Sequence, residues 1–256
     1  SSGTGFYLQK LDSDGNHIWG RSWPENFWAI ASTIEVDSAR NIYLAGYFLD
    51  NAFDVDPISS NFFVNTDSVR GSLTRTSFVM KMDSSGNQVW VKGIRGAIVE
   101  GMELSSSELF VTGGFDGIVD TSLQVGNPQY YETSSSRIGS GTFVIRLAAT
   151  TGARGKHVVI SDTLLSGIRS RDIKVDGFGN VFFIGSIATG SIDFDPSPNG
   201  VQRETTANTN ITQSFVLKLD SNFQYQNHAV LMAGSFNRAF KVNLVGNSLW
   251  LSGDRK

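Results

Sequence analysis

One pattern of alternating apolar and polar positions occurs four times along the chain. The copies are six residues long and begin at Tyr7, Phe78, Phe143 and Phe215. Their first, third and fifth residues mostly suit a buried face, and the fourth is basic: Lys10, Lys81, Arg146 and Lys218. A period of two, rich in Phe and Val, is typical of a half-buried β-strand. The starts lie 71, 65 and 72 residues apart, so this signature strand predicts a repeat architecture.

Each signature strand is followed by more strands of the same kind. In the second repeat a polar turn, residues 83–87, leads to an apolar run that contains Trp90, as the first repeat leads to Trp19. A second strand pair then ends on a glycine, and these glycines are spaced by 67, 72 and 68 residues: Gly46, Gly113, Gly185 and Gly253. One repeat thus supplies about four strands, which is the content of one propeller blade.

Long connectors rich in Ser, Thr, Asn and Gly separate the repeats. They cover residues 48–77, 115–142 and 187–214. Each connector contains a further segment that predicts a short extra strand, near residues 62–66, 129–133 and 201–205. Connectors this regular are parts of the repeat and differ from disordered linkers.

The predicted fold is all-β: a β-propeller of four-stranded antiparallel blades, in one domain or propeller segment spanning residues 1–256. The four repeats cover residues 6–77, 78–142, 143–214 and 215–256. Two closures stay open: a small four-bladed ring in which the N-terminal strand pair completes the last blade, or part of a ring of six to eight blades. An open arc exposes two blade faces, which favours closure or further blades.

Composition excludes several classes of partner. The net charge of -3 and the pI near 5.6 give no attraction to nucleic acid. No apolar run approaches the roughly 20 residues needed for membrane insertion. The chain has no Cys, so it forms neither a disulfide nor a thiolate metal site. It begins at Ser1 without a signal-peptide pattern, which predicts a processed segment of a longer chain or assembly.

The repeat resembles a known family. The residues that carry the resemblance are F-V-x-K-x-D-x-x-G-N-x-x-W at 78–90, I-x-V-D-x-x-x-N-x-Y-x-x-G at 34–46 and D-F-D-P at 193–196. Together they look like the bacterial SBBP-type β-propeller repeat, over nearly the whole chain. The resemblance implies a propeller in a large secreted or cell-surface bacterial protein, and it brings no catalytic residues. The second repeat lacks D-F-D-P, the third lacks the turn aspartate, and the fourth lacks G-N-x-x-W.

Paired aspartates in the connectors are the candidate metal ligands: Asp54, Asp56, Asp193 and Asp195. Carboxylates at i and i+2 of an extended segment point the same way and, with backbone carbonyls, suit Ca²⁺. The alternative is an Asx turn, in which the carboxylate accepts hydrogen bonds from backbone N–H groups before proline. The sequence favours the turn and leaves Ca²⁺ open; no other cofactor is predicted.

Three aromatic residues, Trp23, Phe27 and Trp28, interrupt the repeat pattern near a predicted loop. Aromatic side chains in a loop stack on sugar rings or anchor a partner protein. The alternative is packing beneath the adjacent connector. No nucleophile elbow, phosphate-binding loop, dinucleotide fingerprint or zinc-binding histidine spacing is present, so we predict no enzymatic activity.

The sequence therefore predicts a non-catalytic extracellular module that binds another protein or a surface polysaccharide, or that spaces other domains apart. Two alternatives stay open. A carbohydrate-active propeller enzyme requires paired carboxylates roughly 5 to 9 Å apart in a cleft. A structural component of a surface fibre or secretion-associated assembly requires a large flat contact surface instead.

Overall fold

The computed structural model describes residues 4–23, 28–49, 52–55, 63–65, 75–123, 130–132, 140–161, 167–188, 190–197, 201, 203–206, 212–231 and 237–255. Within these ranges the chain forms strands and turns but no helix, and hence no apolar helix of membrane-spanning length.

The strands of the first half are β1 (Phe6–Leu11), β2 (His17–Trp23), β3 (Ala29–Val36), β4 (Ile42–Phe48), β5 (Ala52–Asp54), β6 (Phe63–Asn65), β7 (Thr76–Met82), β8 (Gln88–Ser105), β9 (Glu108–Asp120) and β10 (Tyr130–Glu132). Those of the second half are β11 (Ser140–Ala148), β12 (Arg154–Ser161), β13 (Arg169–Val175), β14 (Val181–Ile187), β15 (Gly190–Asp193), β16 (Arg203–Thr206), β17 (Gln213–Leu219), β18 (Tyr225–Leu231), β19 (Asn237–Val245) and β20 (Ser248–Arg255).

All strand pairs are antiparallel, and the main sheets have four strands. Their orders are β3-β4-β7-β8, β8-β9-β11-β12 and β13-β14-β17-β18; the first two are fused because β8 belongs to both. Each four-stranded sheet combines the second strand pair of one sequence repeat with the signature pair of the next. The repeat boundaries read from the sequence therefore fall in the middle of a sheet, although the period itself is the same.

The all-β antiparallel prediction is confirmed, whereas the closed ring is not found. The pairs β1-β2 and β19-β20 form separate two-stranded sheets at either end of the described chain, and no sheet closes on itself there. The short connector strands are confirmed at β6, β10 and β16. Two of them pair with β5 and β15 into connector hairpins, and β10 extends β9.

The periodic glycines mark places where two strands of a sheet approach too closely for any side chain. A Cβ added at Gly46 would lie 2.0 Å from the carbonyl oxygen of Ile30 on the neighbouring strand. Gly253 has the same relation to the carbonyl of Arg238, also at 2.0 Å. Real Cβ atoms do not approach a backbone oxygen this closely, so the backbone pairing itself requires glycine.

An aspartate organises the turn that follows the signature strand in three of the four repeats, at Asp12, Asp83 and Asp220. Asp83 Oδ1 accepts hydrogen bonds from the backbone N–H groups of Ser85 and Asn87, at 2.8 and 2.9 Å. Its Oδ2 accepts one from the Asn87 side chain, at 2.8 Å. Gly86 has a φ of +82°, which an L side chain adopts only at a cost. The same hydrogen bonds recur at Asp12, so D-x-x-G-N is a turn sequence in this protein.

Hydrophobic clusters lie between successive sheets and hold them face to face. One cluster joins β1-β2 to the first four-stranded sheet and includes Leu8 and Phe78. The next two join the four-stranded sheets to one another. The last cluster, beneath β19-β20, buries only Ile184, Ala239 and Val242. The contact beneath β19-β20 therefore buries fewer residues than the other described contacts between sheets.

Candidate functional site

The leading strands, meaning the first strand of each sheet, lie side by side in the order β3, second half of β8, β13, β19. Each carries a β-bulge at the same place. A bulge adds one residue to a strand and redirects its side chain. In β8 and β13 the extra residues are Glu100 and Arg171, which form an ion pair with 2.9 Å between Oε1 and Nη1.

Charged side chains from all four leading strands form the leading-strand cluster, which consists of Glu35, Glu103, Asp172, Lys174 and Lys241. The Lys174 ammonium donates a hydrogen bond to Glu103 across the gap between β8 and β13. Lys241 Nζ lies 3.6 Å from Asp172 Oδ1, and the Val242 backbone N–H donates to Asp172 Oδ2 at 3.0 Å. The cluster thus links successive sheets through charge.

The electrostatics of the two glutamates differ from those of free carboxyl groups. Burial raises the pKa of Glu103, although the hydrogen bond from Lys174 acts in the opposite direction. Burial, and after it the neighbouring Glu103 carboxylate, raise the pKa of Glu35. A carboxyl group with a raised pKa beside an ionised carboxylate is the arrangement on which acid catalysis of glycoside cleavage depends.

A groove of about 590 Å³ opens beside the cluster, between the third four-stranded sheet and β19-β20. We call it the β20 groove; among the residues that line it are Glu103, Lys174, Phe178, Phe182, Lys218 and Leu249. A smaller depression of about 220 Å³ continues it over Val216 and His228. Phe178 is 88% exposed at the rim. The groove therefore offers aromatic faces together with both signs of charge.

Two of the connector aspartates, Asp193 and Asp195, form Asx turns. Asp193 Oδ1 accepts a hydrogen bond from the Asp195 backbone N–H at 3.1 Å, and Asp195 Oδ1 accepts one from Ser197 at 2.9 Å. Asp54 ends β5 and is half-buried, while Asp56 lies outside the described residues. In the described ranges no group of three or more His, Asp or Glu is placed to hold a metal ion. Ca²⁺ at these aspartates stays a prediction.

The three candidate contact aromatics have different surroundings. Trp23 is 2% exposed, stacks on Phe6 at 4.4 Å between ring centroids, and donates its indole N–H to the Val55 carbonyl at 3.1 Å. Val55 belongs to the connector, so Trp23 follows the packing alternative and offers no free face to a ligand. Trp28 is 49% exposed, and Phe27 lies outside the described residues.

Sequence reasoning missed the leading-strand cluster and the β20 groove. Glu35 and Lys174 occupy the variable position of I-x-V-D, where a charged residue is expected on a solvated strand face. The usable signal was that this position has opposite charges in the second and third repeats, Glu103 and Lys174. Only the side-by-side placement of the leading strands turns those opposite charges into an ion pair.

In comparisons with protein-family models and with curated proteins, none matches this chain. Its function is therefore inferred from the repeat, the groove and the exposed surfaces.

Proposed function

We propose that this chain is a non-catalytic β-propeller module, exposed outside a bacterial cell, that binds another protein through the surface of β19-β20. The propeller follows from the repeat and is supported by leading strands that lie side by side in chain order. The extracellular setting rests on the resemblance to the SBBP-type repeat.

The observation that carries the proposal is the exposed apolar surface of the last strand pair. Trp250, Val245, Phe240 and Leu251 are 66%, 59%, 40% and 36% exposed. Large apolar side chains next to an unpaired strand edge are costly in water and are typical of protein contacts. Indole rings in particular are enriched where proteins bind each other.

The test is binding of the purified chain to cell-envelope fractions of its own bacterium. We expect retention that protease treatment of the fraction abolishes and that periodate oxidation of its sugars leaves intact. Trp250→Ser should weaken retention at least several-fold, since hot-spot aromatics contribute most to such surfaces. Val89→Ser is the matched control, because Val89 is 47% exposed on another sheet. Retention that resists protease but not periodate would show a polysaccharide partner and contradict the proposal.

A carbohydrate-active enzyme is the second candidate, favoured by the raised pKa values of Glu35 and Glu103. Against it, the hydrogen bond from Lys174 keeps Glu103 in an ion pair between strands. Release of reducing sugars from bacterial polysaccharides, lost in both Glu35→Gln and Glu103→Gln, would establish this candidate. A role as a component of a surface fibre or secretion-associated assembly is the third, and it requires self-association.

A further inference from the structure

Successive sheets are joined by a contact that the chain repeats three times. The basic residue of each of the first three signature strands donates to the carbonyl of the second residue in the turn that follows the next signature strand. Lys10 donates to Ser84 at 2.9 Å, and Lys81 donates to Ala149 at 3.3 Å. Arg146 makes the third contact, with Ser221 at 3.5 Å. We call this contact the turn clamp.

Indole N–H groups reinforce the turn clamp in two of the three places. Trp19 donates to the Ser84 carbonyl at 3.3 Å, and Trp90 donates to the Ala149 carbonyl at 3.2 Å. The Ser84 carbonyl thus accepts two hydrogen bonds from the preceding sheet, and the Ala149 carbonyl accepts a third one from the Tyr43 hydroxyl at 3.2 Å. The clamp is therefore a specific docking geometry for a signature turn against the sheet before it.

The fourth basic residue, Lys218, has no clamped turn among the described residues. Its ammonium lies 5.2 Å from the centre of the Phe182 ring, and both residues line the β20 groove. The turn that corresponds to those at Ser84, Ala149 and Ser221 is residues 12–16, which is exposed throughout. The β20 groove thus lies beside Lys218 where a clamped turn lies beside each of the other three basic residues. The corresponding turn, residues 12–16, is exposed and does not fill the groove.

Among the described strands only β19 pairs with β20, so the other edge of β20 has no partner there. In each four-stranded sheet the periodic glycine pairs with the first residue of a signature strand: Gly46 with Phe78, Gly113 with Phe143, and Gly185 with Phe215. The same spacing pairs Gly253 with Tyr7, and therefore Trp250 with Lys10. Tyr43–Lys81 and Phe182–Lys218 are existing pairs of this type, with the ammonium over the ring at 5.0 and 5.2 Å.

We propose that the β1-β2 hairpin of a second copy of this chain docks on β20, with the Ser13 carbonyl of that copy accepting a hydrogen bond from Lys218. In the described ranges the chain's own hairpin pairs with no strand of β19-β20, and its turn at residues 12–16 is exposed. Docking preserves the contacts that hold each hairpin on its own chain, such as Arg21 Nη2 to the Ser85 carbonyl at 3.0 Å.

The two docking surfaces differ from each other, so the association is head-to-tail. Such an association forms a ring if its rotation closes and a filament if it does not. The inference rests on the proposed function, because it names the partner of the same β19-β20 surface. The two are separable by experiment: a chain that binds envelope protein and stays monomeric would keep the proposed function and remove this inference.

The absence of Cys from the chain makes disulfide trapping unambiguous. The register places Gln9 opposite Leu251, and facing side chains of paired strands are close enough for a disulfide. Chains carrying only Gln9→Cys are mixed with chains carrying only Leu251→Cys and are oxidised mildly. We expect a disulfide-linked pair that contains one chain of each kind. Val245→Cys replaces Leu251→Cys in the control, since Val245 is exposed on the other strand of the hairpin.

Two outcomes would overturn the inference. One is trapping that is no more frequent with Leu251→Cys than with Val245→Cys. The other is a disulfide formed only within single chains that carry both Gln9→Cys and Leu251→Cys, which would show that the chain's own hairpin closes the ring.

A second measurement needs no cysteine. Molar mass by light scattering should rise with concentration in the unmodified chain, and Lys218→Ala should weaken the association several-fold. Lys156→Ala is the control, because Lys156 is exposed and contacts Asn222 within the same copy. A mass equal to one chain at every concentration would contradict the inference.

Discussion

At the scale of single residues, the carboxylates of this protein fall into two groups with opposite electrostatics. Turn aspartates such as Asp83 accept several N–H hydrogen bonds, which lower their pKa. Glutamates of the leading-strand cluster, Glu35 and Glu103, are half-buried, which raises theirs. The first group stabilises the fold when ionised, whereas ionisation of Glu35 opposes folding.

Glu35→Gln should stabilise the protein at neutral pH. The folded-state pKa of Glu35 lies above its ordinary value of 4.5, so the folded state holds that proton more tightly than the unfolded state. The contribution of Glu35 to stability therefore falls as pH rises from that ordinary value through the folded-state pKa. We expect the variant to gain unfolding free energy over the wild type at pH 7 and to show no gain at pH 4, by urea unfolding at both pH values.

Glu103→Gln is the matched comparison for that measurement. It removes the carboxylate that accepts a hydrogen bond from Lys174, and it leaves a half-buried ammonium without its partner. We therefore expect loss of stability at pH 7. A stability change of the same sign in both variants would contradict the difference between the two glutamates: Glu103 accepts a hydrogen bond from Lys174, whereas ionisation of Glu35 opposes folding.

Residue types that act locally were predictable from the sequence, whereas those that act between sheets were not. D-x-x-G-N specifies a turn through hydrogen bonds within five residues, so the role of Asp83 follows from its neighbours. Glu35 acquires its role from residues on β8, β13 and β19, and no spacing along the chain reveals that meeting. Trp23 was ambiguous for the same reason, since its hydrogen-bond acceptor belongs to the connector.

At the scale of strands, hydroxyl groups connect one sheet to the next. Ser77, just before the second signature sequence, donates to the Ala97 carbonyl and accepts from the Val99 N–H, both at 2.8 Å. Ser214, at the same place in the fourth copy, accepts from the Ala239 N–H at 2.7 Å. These contacts fix the leading strand of one sheet to the signature strand of the sheet before it.

Ser77→Ala should therefore destabilise the protein more than an ordinary serine substitution. The change leaves a buried carbonyl and a buried N–H without a partner, which costs about 1–3 kcal/mol. Ser85→Ala is the control, since Ser85 is exposed and its backbone contacts are kept. Chemical unfolding of both variants gives the comparison, and equal midpoints would show that the Ser77 hydroxyl contributes nothing.

Strand identity was largely predictable at this scale, and strand partnership was not. The alternation that marks the signature strand predicts β7, and the glycine spacing predicts β4. That these two strands pair across the boundary between two sequence repeats depends on the connector, which brings them together. A repeat unit defined by sequence need not coincide with a sheet.

At the scale of the whole molecule, the turn aspartates make the free energy of unfolding depend on pH in the acidic range. Hydrogen bonds from Asn16 lower the pKa of Asp12, and those from Asn87 lower the pKa of Asp83. A carboxyl whose folded-state pKa is lowered contributes stability above its unfolded-state pKa, and this contribution is lost as pH falls through the folded-state value. The urea midpoint should therefore fall as the pH is lowered below 3.8, the ordinary pKa of Asp.

Asp83→Asn is the variant that checks this acid dependence. It should show a lower midpoint at neutral pH and a shallower acid loss than the wild type. Parallel acid profiles in the two proteins would assign the effect to other groups.

Because two of the sheets are fused, different parts of the molecule should resist a pulling force to different degrees. Because β8 runs without interruption from Gln88 to Ser105, two four-stranded sheets have one strand in common. Neither can be extended under tension without removing a strand from the other. The third sheet and the two terminal hairpins share no strand with these sheets, so a pulling force applied to the two ends should detach them first and meet its greatest resistance at β8.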